Sequence, residues 1–369
     1  MAMVTFLSLA AYPTRKAYGV TIKFTMSALE EIGIRTSLIS INNLNPKRFL
    51  GRFVSCLISF FRLFFRLDFS PLGKYAFSIN RLLFDLYLFL ELKNSDLYTF
   101  WIRDIRLAGF LQKHFENCLI VLEVHQFPNV SEVRILQQLG NRVLVCPISE
   151  ATLREINGLA MKSRVVLLPM GVPENFYSEA STTSKPEFQA GYFGSFFNSG
   201  RDQGVSSMIQ SFIPYLNENS SAKLLLAGIG VQGVAFLDKL PISLDVRKRI
   251  IAHTHVDHSQ VAALMGQCSV LVLPYPEGEF FAARFPIKAM EYAGVGRSVL
   301  CTKTTSHTSI FTEDEAWFYS LDDEGDLIVK LKTIFANEAQ AKRKIRNAHN
   351  KSLSHSYSSR ISRVIDFLP

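Results

Sequence analysis

The 369-residue chain has no C-x-x-C pair and no D-x-D run. Its five cysteines, Cys56, Cys118, Cys146, Cys268 and Cys301, form an odd set and mostly sit inside apolar runs. A free thiol in such a place behaves as a small hydrophobe, so neither a disulfide framework nor a structural zinc site is expected, and a reducing compartment is. Internal repeats and low-complexity tracts are absent as well, which argues against solenoids and tails. Charged residues are only 20% of the chain against 48% apolar, with a mean hydropathy of +0.15, and none of this carries the signature of disorder. The first residues, MAMVTFLSLAA, lack the positive stretch that opens a secretory signal and run into a turn and a helix, so they read as a first β-strand.

What is present is enough apolar sequence for two cores. A chain of this length exceeds what one core usually organises and fits two α/β domains of roughly 150 to 200 residues, with a cleft between them. Formal charge is +8, and its placement is uneven: residues 1–180 hold 20 Lys or Arg against 14 Asp or Glu, the remainder 20 against 18. Within 46–106 there are ten basic residues against five acidic ones, mixed with many Phe and Leu. Arg52, Ser55, Ser59, Arg62 and Arg66 recur at spacings of three and four, which places them on one stripe of a helix whose other faces are apolar. Arginines interrupt this stretch too often for a bilayer span of about 20 apolar residues. A wide apolar face with a narrow cationic stripe fits a helix lying among anionic headgroups, contacting them through Arg52, Arg62 and Arg66. A core helix whose arginines reach the surface or bind a phosphate is the other reading. Because the positive charge is mixed with Phe rather than laid along a groove, nucleic acid is not an expected partner.

Apolar and helical stretches alternate in the manner of a parallel sheet with crossover helices. Residues 3–10 read as a strand, 19–32 as a helix ending near Gly33, and 35–41 as a second strand. SDLYTFWI, CLIVLEVH and RVLVCPIS follow as strands, and SRVVLLPMG closes a first domain over 1–173 that includes the basic aromatic segment 46–92. The polar stretch 174–188 reads as a linker. AGYFGS, AKLLLAGIG, RIIAHTHV, SVLVLPYP and RSVLCTKT then read as five strands of a second domain over 189–369, whose end, from about residue 327, is helical and basic.

Doubly wound sheets bind ligands at the carboxyl ends of strands, so motifs matter most just after strands. Gly19 opens a helix after a turn bearing Arg15 and Lys16, where unpaired N–H donors favour an anion. A plain turn is the alternative there. GYFGSFFNSGRDQG runs from a strand into a Gly- and Ser-rich loop carrying Gly194, Ser195 and Arg201, and an arginine in such a loop can grip phosphate oxygens, or else pair with Asp202. Phe285-Pro286-Ile287-Lys288 leads into a helix bearing Glu291. Proline suits the first turn, and Lys288 and Glu291, three residues apart, share one side of it, with a cation for phosphate and a carboxylate for two ribose hydroxyls. A surface charge and a helix-dipole partner are the ordinary alternatives.

These segments together resemble the retaining nucleotide-sugar glycosyltransferases of family 4, over nearly the whole chain. ISEATLREI with VVLLPMGV looks like the end of that family's first domain, GYFGS like the start of its second, and HTHVDHSQVAALMGQCSVLVLPYP like its penultimate strand-helix-strand unit. FPIKAMEYAGVGRSVL is similar to its S-P-x-K-x-x-E-Y-x-A-x-G-x-P-V variant. The resemblance implies the α/β GT-B architecture, two Rossmann-like domains facing across a cleft, with a C-terminal helix returning to the first. It implies a donor ribose on Glu291, with Phe285 to Lys288 and Gly19 facing the diphosphate and sugar. It also implies that His125, in LEVHQFP, reaches the transferring sugar, and that the base lies against Val256 and its neighbours.

The sequence departs from the family in three places. Eight residues before Glu291, where E-x7-E needs a carboxylate, stands Ala283, leaving Glu277 or Glu279 as substitutes; the loop's usual Arg and Lys align with Ser195 and Gln203. Arg201 and Lys288 are the candidates to supply that charge. The activity implied is a metal-independent, retaining transfer from a nucleotide diphosphate sugar to a glycan or lipid-linked acceptor, in envelope polysaccharide or glycolipid synthesis. It would run in the cytoplasm at the inner face of the membrane, with no cofactor beyond the sugar-nucleotide co-substrate. A sugar-nucleotide epimerase of the same fold, or a catalytically impaired, membrane-associated sugar-nucleotide binding protein, are the alternatives.

Overall fold

Two series of short, mostly apolar strands with helices between them build two parallel sheets. The structure is a computed structural model that describes residues 3–8, 12, 17–40, 71–92, 98–178, 186–198, 200–283, 285–323 and 325–368. Arg15, Lys16 and the stripe of Arg52, Arg62 and Arg66 lie outside the described residues.

Unit 1 comprises Met1–Pro169 and Arg360–Pro369. Its elements are β1 (Met3–Ser8), α1 (Ala17–Glu31), β2 (Arg35–Ser40), α2 (Pro71–Leu92), β3 (Tyr98–Ile102), α3 (Ile105–His114), β4 (Cys118–Val124), α4 (Val130–Gln138), β5 (Val143–Pro147), α5 (Glu150–Asn157) and β6 (Arg164–Val165). The strands pair in parallel in the order β2-β1-β3-β4-β5-β6. Sequences such as CLIVLEV and VLVCP are apolar on both faces because helices cover both sides of such a sheet. Helix starts are fixed locally. Asp104 accepts from the Leu107 N–H at α3, Asn129 and Glu132 form a capping box at α4, and Ser149 accepts from the Thr152 N–H at α5. α1 ends at Gly33, whose φ of +84° is the left-handed conformation that stops a helix. The core gathers Phe84 and Leu88 of α2, Leu111 and Leu136, and Phe100, Ile120, Leu122 and Val145 from the sheet.

Unit 2 spans Met170–Ser359. A helical turn at Asn175–Ser178 precedes β7 (Phe188–Phe193), the short hairpin β8 (Phe197–Asn198) and β9 (Arg201–Asp202), α6 (Val205–Glu218), β10 (Leu224–Ala227), α7 (Gly230–Leu237), β11 (Ile250–His253), α8 (His258–Gly266), β12 (Cys268–Leu273), α9 (Ile287–Gly294), β13 (Ser298–Thr302), β14 (Trp317–Tyr319), α10 (Asp326–Ala336), α11 (Glu338–Leu353) and α12 (Tyr357–Ser362). The six-stranded sheet runs β11-β10-β7-β12-β13-β14, all parallel. The sequence pointed to five strands here. The sixth, β14, is three buried residues paired with β13, too short to show a period of its own. α12 carries the chain from unit 2 into the final residues of unit 1, which begin at Arg360.

Candidate functional site

In chain order, unit 2's sheet reads third, second, first, fourth, fifth, sixth, the Rossmann order. It winds outward in one direction from β7 and in the other from β12. Crossover helices on opposite sides of that switch point leave a crevice beyond the carboxyl ends of β7 and β12. Gly194 follows β7 directly, and Tyr275 stands two residues beyond β12.

At this point the structure brings together residues that the sequence had placed almost 100 positions apart. Gly194 has φ +151°, and a Cβ there would run into Lys288 Nζ, so only glycine lets the lysine lie against the backbone after β7. The Lys288 ammonium lies 5.4 Å from the ring centroid of Tyr192 and 5.7 Å from that of Tyr275. The loop is pinned from both sides: the Phe193 N–H donates to Tyr292 Oη at 2.9 Å, and Tyr192 Oη donates to the Ser195 carbonyl at 2.9 Å. Burial works against the lysine's charge, but Tyr192, Tyr275 and Glu291 outweigh it and hold its pKa above the ordinary value, so Lys288 is cationic at neutral pH. No carboxylate lies within ion-pair distance of it among the described residues. One turn further along α9, burial pushes the Glu291 carboxyl up to about 7, against the pull of Lys288. Its oxygens have no hydrogen-bond partner among the described residues, so they remain available to a ligand's hydroxyls.

The Gly- and Ser-rich loop folds as the β8–β9 hairpin. Arg201 is exposed and stacks its guanidinium 5.1 Å from the Phe280 ring centroid, next to exposed Glu279. Asp202 is occupied otherwise: it accepts from the Val205 N–H at 3.0 Å and from the Ser206 hydroxyl at the start of α6. Gly204, φ +79°, abuts the Pro274 carbonyl where any Cβ would collide. Gln203, in the place of the family's lysine, is buried, and its backbone N–H donates to the Phe196 carbonyl at 3.0 Å. Ser195 is exposed, and Ala283 is buried at 4%, so a carboxylate at that position would need a partner.

Phe285 and Pro286 are buried at the start of α9, Phe285 stacked on His355 at 5.3 Å, and half-buried Ile287 opens the helix. Val256 is half-buried in the loop between β11 and α8, on the far side of β10 from β7 in the sheet order. Sequence reasoning missed Tyr192, Tyr275 and Tyr292. All three stood inside the quoted segments GYFGS, SVLVLPYP and FPIKAMEYAGVGRSVL without being singled out.

In unit 1, His125 sits one residue past β4. Its Nε2 is 2.6 Å from Glu123 Oε2. Burial and the charge of Arg103 lower its pKa to about 4, so the ring is neutral and donates to Glu123 through Nε2–H. Gly19 is buried in the first turn of α1.

Residues 187–337 match the family model described as Glycosyl transferases group 1. The second unit is similar to group 1 glycosyl transferases. No curated protein sequence matches the chain. Among solved structures, an α,α-trehalose-phosphate synthase (UDP-forming) from Burkholderia xenovorans in complex with glucose-6-phosphate is similar at TM-score 0.69 and 12% identity, covering 100% of both chains. Sucrose-phosphate synthase from Thermosynechococcus elongatus gives TM-score 0.65 at 11% identity, over 99% of this chain and 98% of the other. Anabaena HepE in complex with UDP and glucose gives 0.62 at 12%, over 99% and 100%. At these identities the likeness establishes the fold, the GT-B architecture of two Rossmann-like units. No described helix is long and apolar enough to cross a membrane.

Proposed function

We propose that the chain is a glycosyltransferase that binds a nucleotide diphosphate sugar on unit 2 and moves the sugar, with retention and without a metal ion, onto an acceptor hydroxyl. The observation that carries this reading is Lys288: a cation without a carboxylate partner, laid against Gly194 at the switch point, with the unbonded carboxylate of Glu291 one turn away. A fixed positive charge there stabilises the departing diphosphate. The anomeric carbon–oxygen bond breaks with its electron pair left on the diphosphate, the acceptor oxygen bonds to the same face of the sugar, and the acceptor's proton passes to a diphosphate oxygen. Arg201, Gly194, Ser195 and the Phe285–Ile287 turn border the diphosphate and sugar, Glu291 takes the ribose, and Val256 the base. Solved structures of similar fold hold UDP with glucose and glucose-6-phosphate, which supports a sugar-nucleotide donor and a sugar acceptor.

The acceptor belongs, in this reading, to a glycan or lipid-linked intermediate of the cell envelope, built at the inner membrane face, where the basic aromatic segment 46–92 would touch anionic lipid. Buried Ala283 favours one second reading, a sugar-nucleotide binding protein with impaired catalysis. Thermal melting against UDP-, GDP-, ADP- and dTDP-sugars, with and without EDTA, separates them. Stabilisation by one nucleotide, unaffected by EDTA and followed by sugar transfer or slow donor hydrolysis, supports the enzyme. Stabilisation without turnover supports the binding protein, and no stabilisation by any of them rejects both.

A further inference from the structure

Unit 1 has a switch point of its own. Its strand order reverses between β1 and β3, and at their carboxyl ends lies a cavity of about 190 Å³. Ser8 of β1, Ile102 of β3 and Arg103 just beyond it line the cavity; Phe6, Ile22, Trp101 and Leu107 give it apolar walls. A cavity of about 150 Å³ holds a benzene ring, so this one has room for a six-membered ring with a substituent.

Three charged side chains face it, and their hydrogen bonding is lopsided. Glu123 is well supplied: Oε1 accepts from Trp101 Nε1 at 2.5 Å and from Arg360 Nη2 at 2.6 Å, while Oε2 accepts from His125 Nε2 at 2.6 Å and is ion-paired to Arg103, whose Nε lies 3.1 Å away. Asp104 is committed too, to Arg81 at 2.8 and 3.3 Å and to the Leu107 N–H at 2.9 Å. Arg103 alone has capacity left. It is ion-paired to Glu123, with Nε 3.1 Å from Oε2, and neither terminal nitrogen makes a hydrogen bond among the described residues. The cavity's two carboxylates are thus engaged by other partners, while it presents an open guanidinium fork, held in place by its ion pair with Glu123. A planar fork with two free N–H-bearing nitrogens matches an oxyanion in a bidentate way.

We infer that this cavity is the acceptor pocket and that Arg103 anchors an oxyanion, a phosphate or carboxylate carried by the acceptor, whose ring lies between Trp101 and Ile22. The inference rests on the glycosyltransferase reading and adds the charge class of the acceptor. Arg103 selects substrate and holds it, so its loss raises the acceptor KM far more than it lowers donor affinity.

The test is thermal melting and transfer with glucose, glucose 6-phosphate and glucuronate as soluble probes, and with phosphatidylcholine vesicles that contain or lack phosphatidic acid. Nucleotide-sugar affinity is measured in parallel on every variant. Anionic probes should stabilise the wild type where glucose does not. Their affinity should fall about tenfold or more in Arg103→Lys, which keeps charge but loses the fork, and in Ile22→Phe, which fills the cavity and leaves every charge in place. Stabilisation by glucose 6-phosphate or glucuronate identifies a soluble sugar anion; stabilisation only by phosphatidic acid vesicles identifies a lipid phosphate; either supports the anchor. Equal response to glucose and its anionic forms, or wild-type affinity in both variants, overturns it. Failure of the wild type to bind any nucleotide sugar would instead sink the donor reading of unit 2, which the anion measurements do not touch.

Discussion

Arg360 Nη2 lies 2.6 Å from Glu123 Oε1, and both side chains are 1% exposed, although 237 positions separate them in sequence. The arginine also donates to the Pro169 carbonyl at 2.9 Å and to Thr25 Oγ1 at 3.4 Å, with its guanidinium 5.4 Å from the Trp101 ring centroid. A residue near the chain's end is therefore part of the interior of unit 1, beside the last residue where the chain leaves that unit.

Arg360→Ala should destabilise unit 1 by about 3–5 kcal/mol, because removing one member of a buried pair leaves the other charge without its partner. Urea unfolding followed by Trp101 fluorescence reads this directly, and ending the chain at Ser359 should have at least the same effect. A loss under 1 kcal/mol, the range of exposed pairs, would mean the pair is open to solvent.

Acid should unfold unit 1 in two overlapping stages. Glu123 is held well below the ordinary carboxylate range: burial opposes its charge, but Arg103, Arg360 and His125 outweigh burial. A depressed carboxylate contributes stability that is present above pH 4.5 and lost as pH falls toward the folded pKa. His125, lowered from 6.5 to about 4, begins to cost stability earlier, as pH falls below 6.5 and the unfolded chain takes up the proton first. His125→Gln should remove the upper stage between pH 6.5 and 4 and leave the lower one, as measured by the urea midpoint against pH.

Glu291 works in the opposite sense. Its folded pKa of about 7 lies above the ordinary 4.5, so the native state holds the proton more tightly and stability falls as pH rises from 4.5 to 7. Glu291→Gln should stabilise the ligand-free protein above pH 7 by about 1–2 kcal/mol, allowing for solvent screening, and make no difference below pH 4.5. The same variant should bind nucleotide sugars less tightly, and wild-type affinity should strengthen as pH rises through 7. A variant that is more stable yet binds as well as wild type would remove Glu291 from the donor site.

Lys288→Met keeps the stem against Tyr192 and Tyr275 but removes the charge. Nucleotide diphosphate affinity should drop about 10- to 100-fold by titration calorimetry, the worth of a hydrogen bond to a charged group, with the melting temperature little changed.

Gly194→Ala should injure the same site from the other side. The residue needs φ +151°, and its methyl group would displace Lys288 Nζ. Donor affinity should fall with a stability loss of about 1–3 kcal/mol from backbone strain.

The fold was largely written in the chain's periodicities. Continuous apolar runs such as CLIVLEV and CSVLVL, each ahead of a helix, specify buried parallel strands, because only a sheet covered on both faces accepts them. The loop after β7 and the helix start at Pro286 were legible too, since a Gly- and Ser-rich stretch and a missing N–H are local signals. β14 was not, because three residues carry no period. Tertiary structure alone decided which side chains would meet. The sequence could place Lys288 and Glu291 on one turn, but not lay the lysine against Gly194 between two tyrosines. It could quote Glu123 and His125 as neighbours, but not show that Arg103 and Arg360 would complete the carboxylate's partners and leave one guanidinium fork open. Those pairings join residues far apart in sequence, through sheet order and burial, and no local pattern encodes either.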